Sequence, residues 1–157
     1  MTNQSKKYPV KDYLLYLLSR RDYSTAELLF KALQKGHDGV DTKSVITELT
    51  EAGLINDLRM AQNLILNYQG YKGKTWIKQK LLLKKIPFTI VEILLSDNED
   101  LNEANEIFRR KVMQKYNITS WKNVDPKTNQ KILNYMARQG FSNPWKLLSE
   151  WSENEQI

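Results

Sequence analysis

The sequence predicts an all-α protein made of three consecutive three-helix units. Apolar residues recur at helical spacing along nearly the whole chain, and no alternating run with a hairpin signal interrupts them. Helix starts and stops are also written in: Ser24 and Glu27 form an S-x-x-E capping box, and Gly36, Gly53 and Gly140 stand where a left-handed residue ends a helix. Finally, the outline of one helix returns twice. Leu28, Ala32 and Gly36 align with Ile77, Leu81 and Lys85, and then with Ile132, Met136 and Gly140, at offsets of 49 and 55 residues.

After an N-terminal tail (residues 1–9), the first unit covers residues 10–56. Its first helix carries Val10, Leu14, Leu17 and Leu18 on one face, and its second presents Leu28, Leu29, Ala32 and Leu33. Asp41 reads as the cap of the third, which carries Val45, Leu49 and Ala52 and stops at Gly53, with Leu54 folding back as the apolar partner of the stop. The second unit, residues 57–96, opens with Ala61, Leu64, Ile65 and Tyr68 on one face before "QGYKGK" breaks the pattern. Trp76, Ile77 and Leu81 mark its second helix. Pro87 suits the start of its third, whose apolar side is Ile90, Val91, Leu94 and Leu95. A polar linker, residues 97–103, precedes the third unit, residues 104–151. There Ile107, Phe108 and Val112 come first, then Asp125-Pro126 as cap and first turn of a helix with Ile132 and Met136, then a short helix in "SNPWKLLSEW". Residues 152–157 read as a C-terminal tail.

A three-helix unit of this size rarely carries more than about 3–5 kcal/mol of core stability alone, so such units gain by leaning on neighbours. A linear stack would extend on the order of 60 Å, a shape suited to a long partner rather than a small pocket. Lys85 breaks the pattern of the repeat, because a left-handed stop costs a non-glycine residue about 1 kcal/mol. Either the middle helix ends differently or a basic side chain is wanted there.

Composition narrows the function. The chain has 41% apolar residues and no cysteine, so it can build cores but holds no disulfide, thiol nucleophile or thiolate metal site. No apolar run reaches the roughly 18 residues that span a bilayer, and "MTNQSKKYPVKD" has no apolar signal region, which makes the cytoplasm the expected compartment. The one histidine, His37, follows a helix stop and reads as a loop residue. There is no G-x-x-x-x-G-K-[ST] loop, and the carboxylates of "SDNEDLNE" lack the glycine and terminal glutamate of a calcium loop. The expectation is a protein without cofactor, metal or catalytic residues.

Lys and Arg outnumber Asp and Glu by 24 to 18, and the excess is concentrated. Residues 57–96 are net +5, whereas residues 1–56 are +1 and residues 97–157 are neutral. The run "YKGKTWIKQKLLLKK" places Lys74, Lys78 and Lys85 near one helical stripe and Lys80 and Lys84 on another, with Ile77 and Leu81 turned inward. Such an array can meet a phosphate backbone, or it can be a solvated helix face. Tyr68, Tyr71 and Trp76 can stack on bases, although for Trp76 core packing is the favoured reading. Arg20-Arg21 and Arg109-Arg110 stand at corresponding ends of first helices, and Arg138 precedes Gly140. They either extend the basic surface or neutralise the carbonyl ends of their helices.

The strings "YLLSRRDYSTAELLFKAL", "LTEAGLINDLRMA", "KGKTWIKQKLLLKKI" and "YMARQGFSNPWKLL", in that succession from about residue 10 to residue 151, resemble the RecX family of bacterial recombinase regulators. The likeness runs through Arg20 and Arg21, Ser24-x-x-Glu27-Leu28, Gly53-Leu54, Asp57-x-Arg59-x-Ala61, Lys72-Gly73 and Arg138-x-Gly140-Phe141-Ser142. Lys85 departs from a usual glycine, and Leu58 from the second acid of a common Asp-Asp pair. The resemblance implies a curved array of three tandem three-helix units that binds RecA and its DNA filament and lowers the recombinase's ATP hydrolysis and strand exchange; nothing in the sequence demands oligomerisation, so a monomer is expected. Weak direct binding of single- or double-stranded DNA is compatible with it. The residues expected at the interface are Lys74, Lys78, Lys80, Lys84 and Lys85, then Arg20, Arg21, Arg109, Arg110 and Arg138. Two alternatives remain: a helical nucleic-acid-binding module independent of the recombinase, and a structural adaptor.

Overall fold

The computed structural model describes residues 8–155, so most of the expected N-terminal tail and the last two residues of the C-terminal one lie outside it. Nine α-helices follow one another among the described residues: α1 (Val10–Arg20), α2 (Thr25–Gln34), α3 (Gly39–Glu51), α4 (Asp57–Tyr68), α5 (Lys74–Leu83), α6 (Phe88–Asp97), α7 (Glu106–Lys115), α8 (Pro126–Arg138) and α9 (Pro144–Glu153). Two 3-10 turns, Glu99–Asn102 and Trp121–Asn123, lie before and after α7.

Burial divides the helices into three groups. Leu14, Leu17, Leu28, Ala32, Ile46, Leu49 and Ile55 form one core from α1 to α3. A second gathers α4 to α6 around Ile77, Leu81 and Val91, and a third gathers α7 to α9 around Val112, Ile132 and Met136. The repeated pairs Leu28–Ala32, Ile77–Leu81 and Ile132–Met136 are fully inaccessible, so each middle helix seats the same two positions in its core.

The stops repeat too. Gly36, Lys85 and Gly140 have φ of 86°, 58° and 94°. Each donates its N–H three residues back, to Leu33, Leu82 and Ala137, and the following N–H reaches five back, to Ala32, Leu81 and Met136. Lys85 therefore ends α5 as glycine ends the other two, at the steric cost that a Cβ incurs in that conformation.

Several local expectations shift by a turn. Asp38, not Asp41, caps α3, and Asp41 is the residue whose N–H it accepts at 3.0 Å. The stop after α3 forms with the Leu54 N–H on the Leu49 carbonyl at 2.9 Å, but Leu54 is exposed and Ile55 goes into the core. Leu33 and Ile107 are exposed, because the stripes of α2 and α7 are narrower than their apolar content. Within the polar stretch after α6, Leu101 is buried in the second core and pins the 3-10 turn there. Residues 152–155 are tied down as well: α9 runs to Glu153, and the Glu155 carboxylate accepts the Trp121 N–H at 3.0 Å and the Ser120 hydroxyl at 2.9 Å.

The three cores are joined through their middle helices. At the first joint, the carbonyl of Lys84, at the end of α5, accepts the Ser24 hydroxyl at 2.5 Å, at the start of α2. At the second, the carbonyl of Gln139, at the end of α8, accepts the Gly73 N–H at 2.8 Å, at the start of α5, and the Gly140 carbonyl accepts the Thr75 N–H at 3.3 Å. Ser24 and Gly73 are related by the offset of 49 residues, and Lys84 and Gln139 by that of 55, so the joints fall at equivalent positions of the repeat.

Candidate recombinase and nucleic-acid interface

The predicted basic residues do not crown α5; they flank it. Lys74, Lys78, Lys80 and Lys84 are half-buried on the two sides of the Ile77–Leu81 stripe, and the outermost face is Thr75, Gln79, Leu82 and Leu83. The lysine stems cover neighbouring apolar surface while their ammonium groups reach out. The Lys78 ammonium lies 3.2 Å from a Glu92 carboxylate oxygen and 5.8 Å from the Phe88 ring centre. Lys80 stands 5.9 Å over Trp76, and Lys85, exposed, stands 4.9 Å over Phe30 of the first unit.

The arginines divide. Arg20 ends α1, bonds the Tyr16 hydroxyl at 2.8 Å and carries no ion pair among the described residues. Arg21 sits 3.6 Å over the Tyr23 ring and reaches Glu27 at 3.4 Å. Arg109 and Arg110 lie in the first two turns of α7, not at its end as the sequence pattern suggested, since α7 runs on to Lys115. Both engage Glu106, and the Arg109 hydrogen bond, with the charge of both guanidiniums, lowers that carboxyl to about 2 against its desolvation. A cleft of about 350 Å³ opens beside Arg109, lined by Glu106, Trp151 and Glu155 among others. Arg138 is exposed in the last turn of α8, next to the second joint.

Two cations outside the predicted set complete that joint. Lys72 lies 5.1 Å over Trp76 and bonds the Gln139 side chain, and Lys111 stands 5.6 Å over Tyr71. Trp76 itself packs against Tyr68, ring centres 4.6 Å apart, and meets the backbone at Gly140, so its packing role holds while lysines border its ring. Sequence spacing placed Lys72 beside Gly73 but could not reveal the partner 67 residues away. The structure thus gathers Lys72, Lys80, Lys111 and Arg138 with Tyr71 and Trp76 near the second joint, and Lys84 and Lys85 at the first. Arg20 and Arg21 belong to the first unit's helix end, and Arg109 and Arg110 to a locally neutralised pair.

No protein-family model matches the chain. The Regulatory protein RecX of Vibrio vulnificus (strain CMCP6) is 32% identical over 133 residues, covering 84% of each chain. This chain belongs to the RecX family. RecX of Haemophilus ducreyi (strain 35000HP / ATCC 700724) is 31% identical over 141 residues, 87% of each chain. The solved RecX from Lactobacillus salivarius superposes with a TM-score of 0.72 over 92% of this chain and 94% of that one, at 21% identity. A second crystal structure of a regulatory protein RecX gives a TM-score of 0.69 over 90% of this chain and 71% of the other, at 17% identity. Those two likenesses place this chain in the all-α fold of the RecX structures, and the named relatives are regulatory proteins.

Proposed function

We propose that this protein is a non-enzymatic, monomeric regulator in the cytoplasm that binds the recombinase RecA and its DNA filament and lowers ATP hydrolysis and strand exchange by the filament. Membership of the RecX family carries the reading, and the three cores joined end to end support it, since such a chain can engage several subunits of a repeating partner. No bond-making group is needed. A regulator that favours one filament state by a factor of ten, about 1.4 kcal/mol, shifts the population by that factor. Lys74, Lys80, Lys84, Lys85, Arg20 and Arg138 carry no ion pair among the described residues and are the first candidates for contact. Lys78, Arg21, Arg109 and Arg110 must first exchange a local carboxylate.

The deciding experiment titrates the protein into DNA-dependent ATP hydrolysis by bacterial RecA, with naked-DNA binding measured in the same buffer. Suppression well below the concentration that coats the DNA is the expected result. Suppression only at saturation of the DNA would replace this reading with simple competition.

The grouping of Lys72, Lys80 and Lys111 around Trp76 and Tyr71 favours a second reading, direct contact with single-stranded DNA through rings and cations together. Its signature is a log affinity that falls against log salt by about 0.7 per phosphate neutralised.

A further inference from the structure

One surface of the protein combines exposed apolar side chains with lysines and crosses the first joint. Lys78 and Lys85 lie near one side of α5, and Leu82, four residues after the first and three before the second, stands between them. At one end the Lys85 ammonium is 4.9 Å from the ring centre of Phe30 on α2. At the other the Lys78 ammonium is 5.8 Å from the ring centre of Phe88, in the first turn of α6. Phe30, Leu82 and Phe88 keep 49%, 41% and 60% of their surface open, which makes a row of apolar anchors separated by positive charge.

We propose that this row is a docking surface for an acidic amphipathic segment of a partner protein. Its charge is modest: two lysines stand against Glu92, whose pair with Lys78 is about half exposed on both sides and exchanges readily with an incoming carboxylate. A single-stranded nucleic acid can stack bases on Phe30 and Phe88, but it leaves the Leu82 anchor uncovered and brings its phosphates against the Glu92 carboxylate. A segment with Leu or Phe on one face and Asp or Glu beside them buries the anchors and pairs the ammoniums at once. Because Phe30 belongs to the first unit and Leu82 and Phe88 to the second, its occupant also bridges the joint at Ser24. The surface is independent of the reading above in that it does not require the recombinase to be the protein that supplies the segment.

The test uses fluorescence anisotropy of a labelled synthetic peptide, helical, with Leu and Phe at i, i+3, i+4 and i+7 and Asp or Glu between, beside a labelled thymidine oligonucleotide. The full chain should bind the peptide, and the double substitution Leu82→Ser with Phe88→Ser should weaken it at least tenfold while leaving the oligonucleotide unchanged. Both residues are exposed, and an unaltered urea midpoint confirms that the variant folds. Lys78→Gln with Lys85→Gln should flatten the salt dependence of peptide binding. Equal peptide affinity in wild type and the serine variant, or no peptide binding, overturns the proposal. Loss confined to the oligonucleotide does so too and makes the surface a nucleic-acid one.

Discussion

Ser24 holds two helices at once. Its hydroxyl oxygen accepts the Glu27 N–H at 3.1 Å, closing the capping box of α2, and its proton goes to the Lys84 carbonyl at the end of α5. The residue is fully inaccessible, so removing the hydroxyl breaks both bonds at a site that is at least partly closed to water. Ser24→Ala should therefore cost about 1–3 kcal/mol, from a lost cap and an unpaired, part-buried carbonyl, measured by urea unfolding. A loss under about 0.5 kcal/mol would mean that the joint does not depend on it. Lys85 offers the converse case. Glycine there removes a conformational cost of about 1 kcal/mol and forfeits roughly half of that in the Phe30 contact. Lys85→Gly should raise Tm by about 1–2 °C for a chain of this length, while a fall would show that the contact with the first unit outweighs the strain.

Helix boundaries and inward faces were legible because their causes are local. As caps and stops, Ser24, Gly36, Asp125, Pro126 and Gly140 are set by residues of their own helices, and Leu28, Ile77 and Ile132 need only the helical period to find the core. The lysine exposure was not legible, since a helical wheel places Lys74 and Lys80 on a side but cannot say that α4, α6 or a neighbouring unit shades it. The lowered carboxyls also follow elements: among the described residues Glu106, Asp125 and Glu155 are all in the third unit. Thr128 holds Asp125 down through its hydroxyl and N–H. For Glu155 burial pushes upward, but hydrogen bonds from Ser120, Trp121 and Lys122 outweigh it. A carboxyl lowered in the folded state contributes stability above its ordinary range and loses it as pH falls through the folded value, about 2 for Glu106. Acidification from pH near 4.5 toward 2 should thus alter the fluorescence of Trp121 and Trp151, whose tilted rings have centres 4.8 Å apart, before the far-ultraviolet helix signal declines. Coincident changes would contradict an acid-sensitive third unit.

Across the whole molecule the two joints are built from different materials. The first rests on a hydroxyl and on the Asp57 carboxylate, which accepts the Thr25 N–H at 2.8 Å. The second rests mainly on backbone meeting backbone, with the Asn105 N–H on the Gly70 carbonyl at 2.9 Å and the Lys72 bond to the Gln139 side chain as further ties. No Cβ fits at Gly73, where it would overlap the Gly140 carbonyl, and one on Gly140 would come within 2.5 Å of Trp76 Cβ. Gly73 lies outside the left-handed region, so Gly73→Ala strains the joint rather than its own turn. It should cost at least about 2 kcal/mol, in the range of overpacked contacts, and should widen the distance distribution between spin labels on α4 and α9. Unchanged distances would show that the third unit is held otherwise. These joints escaped the sequence reading because their partners are 60 and 66 residues apart and involve backbone groups that every residue carries.

The order of the joints has an electrical consequence. The carbonyl end of α8 meets the amide end of α5, and the carbonyl end of α5 meets the amide end of α2, so the three middle helices are dipoles in series. Opposite partial charges, about half an elementary charge each, face one another at every joint and largely cancel. Lys74, at an amide end that would ordinarily repel it, sits beside the carbonyls of Gln139 and Gly140, and the α5 carbonyl end near Lys84 and Lys85 is already answered by Ser24. The field of these lysines is thus little opposed or absorbed by their own helix and is projected outward, where a polyanion or an acidic protein can feel it.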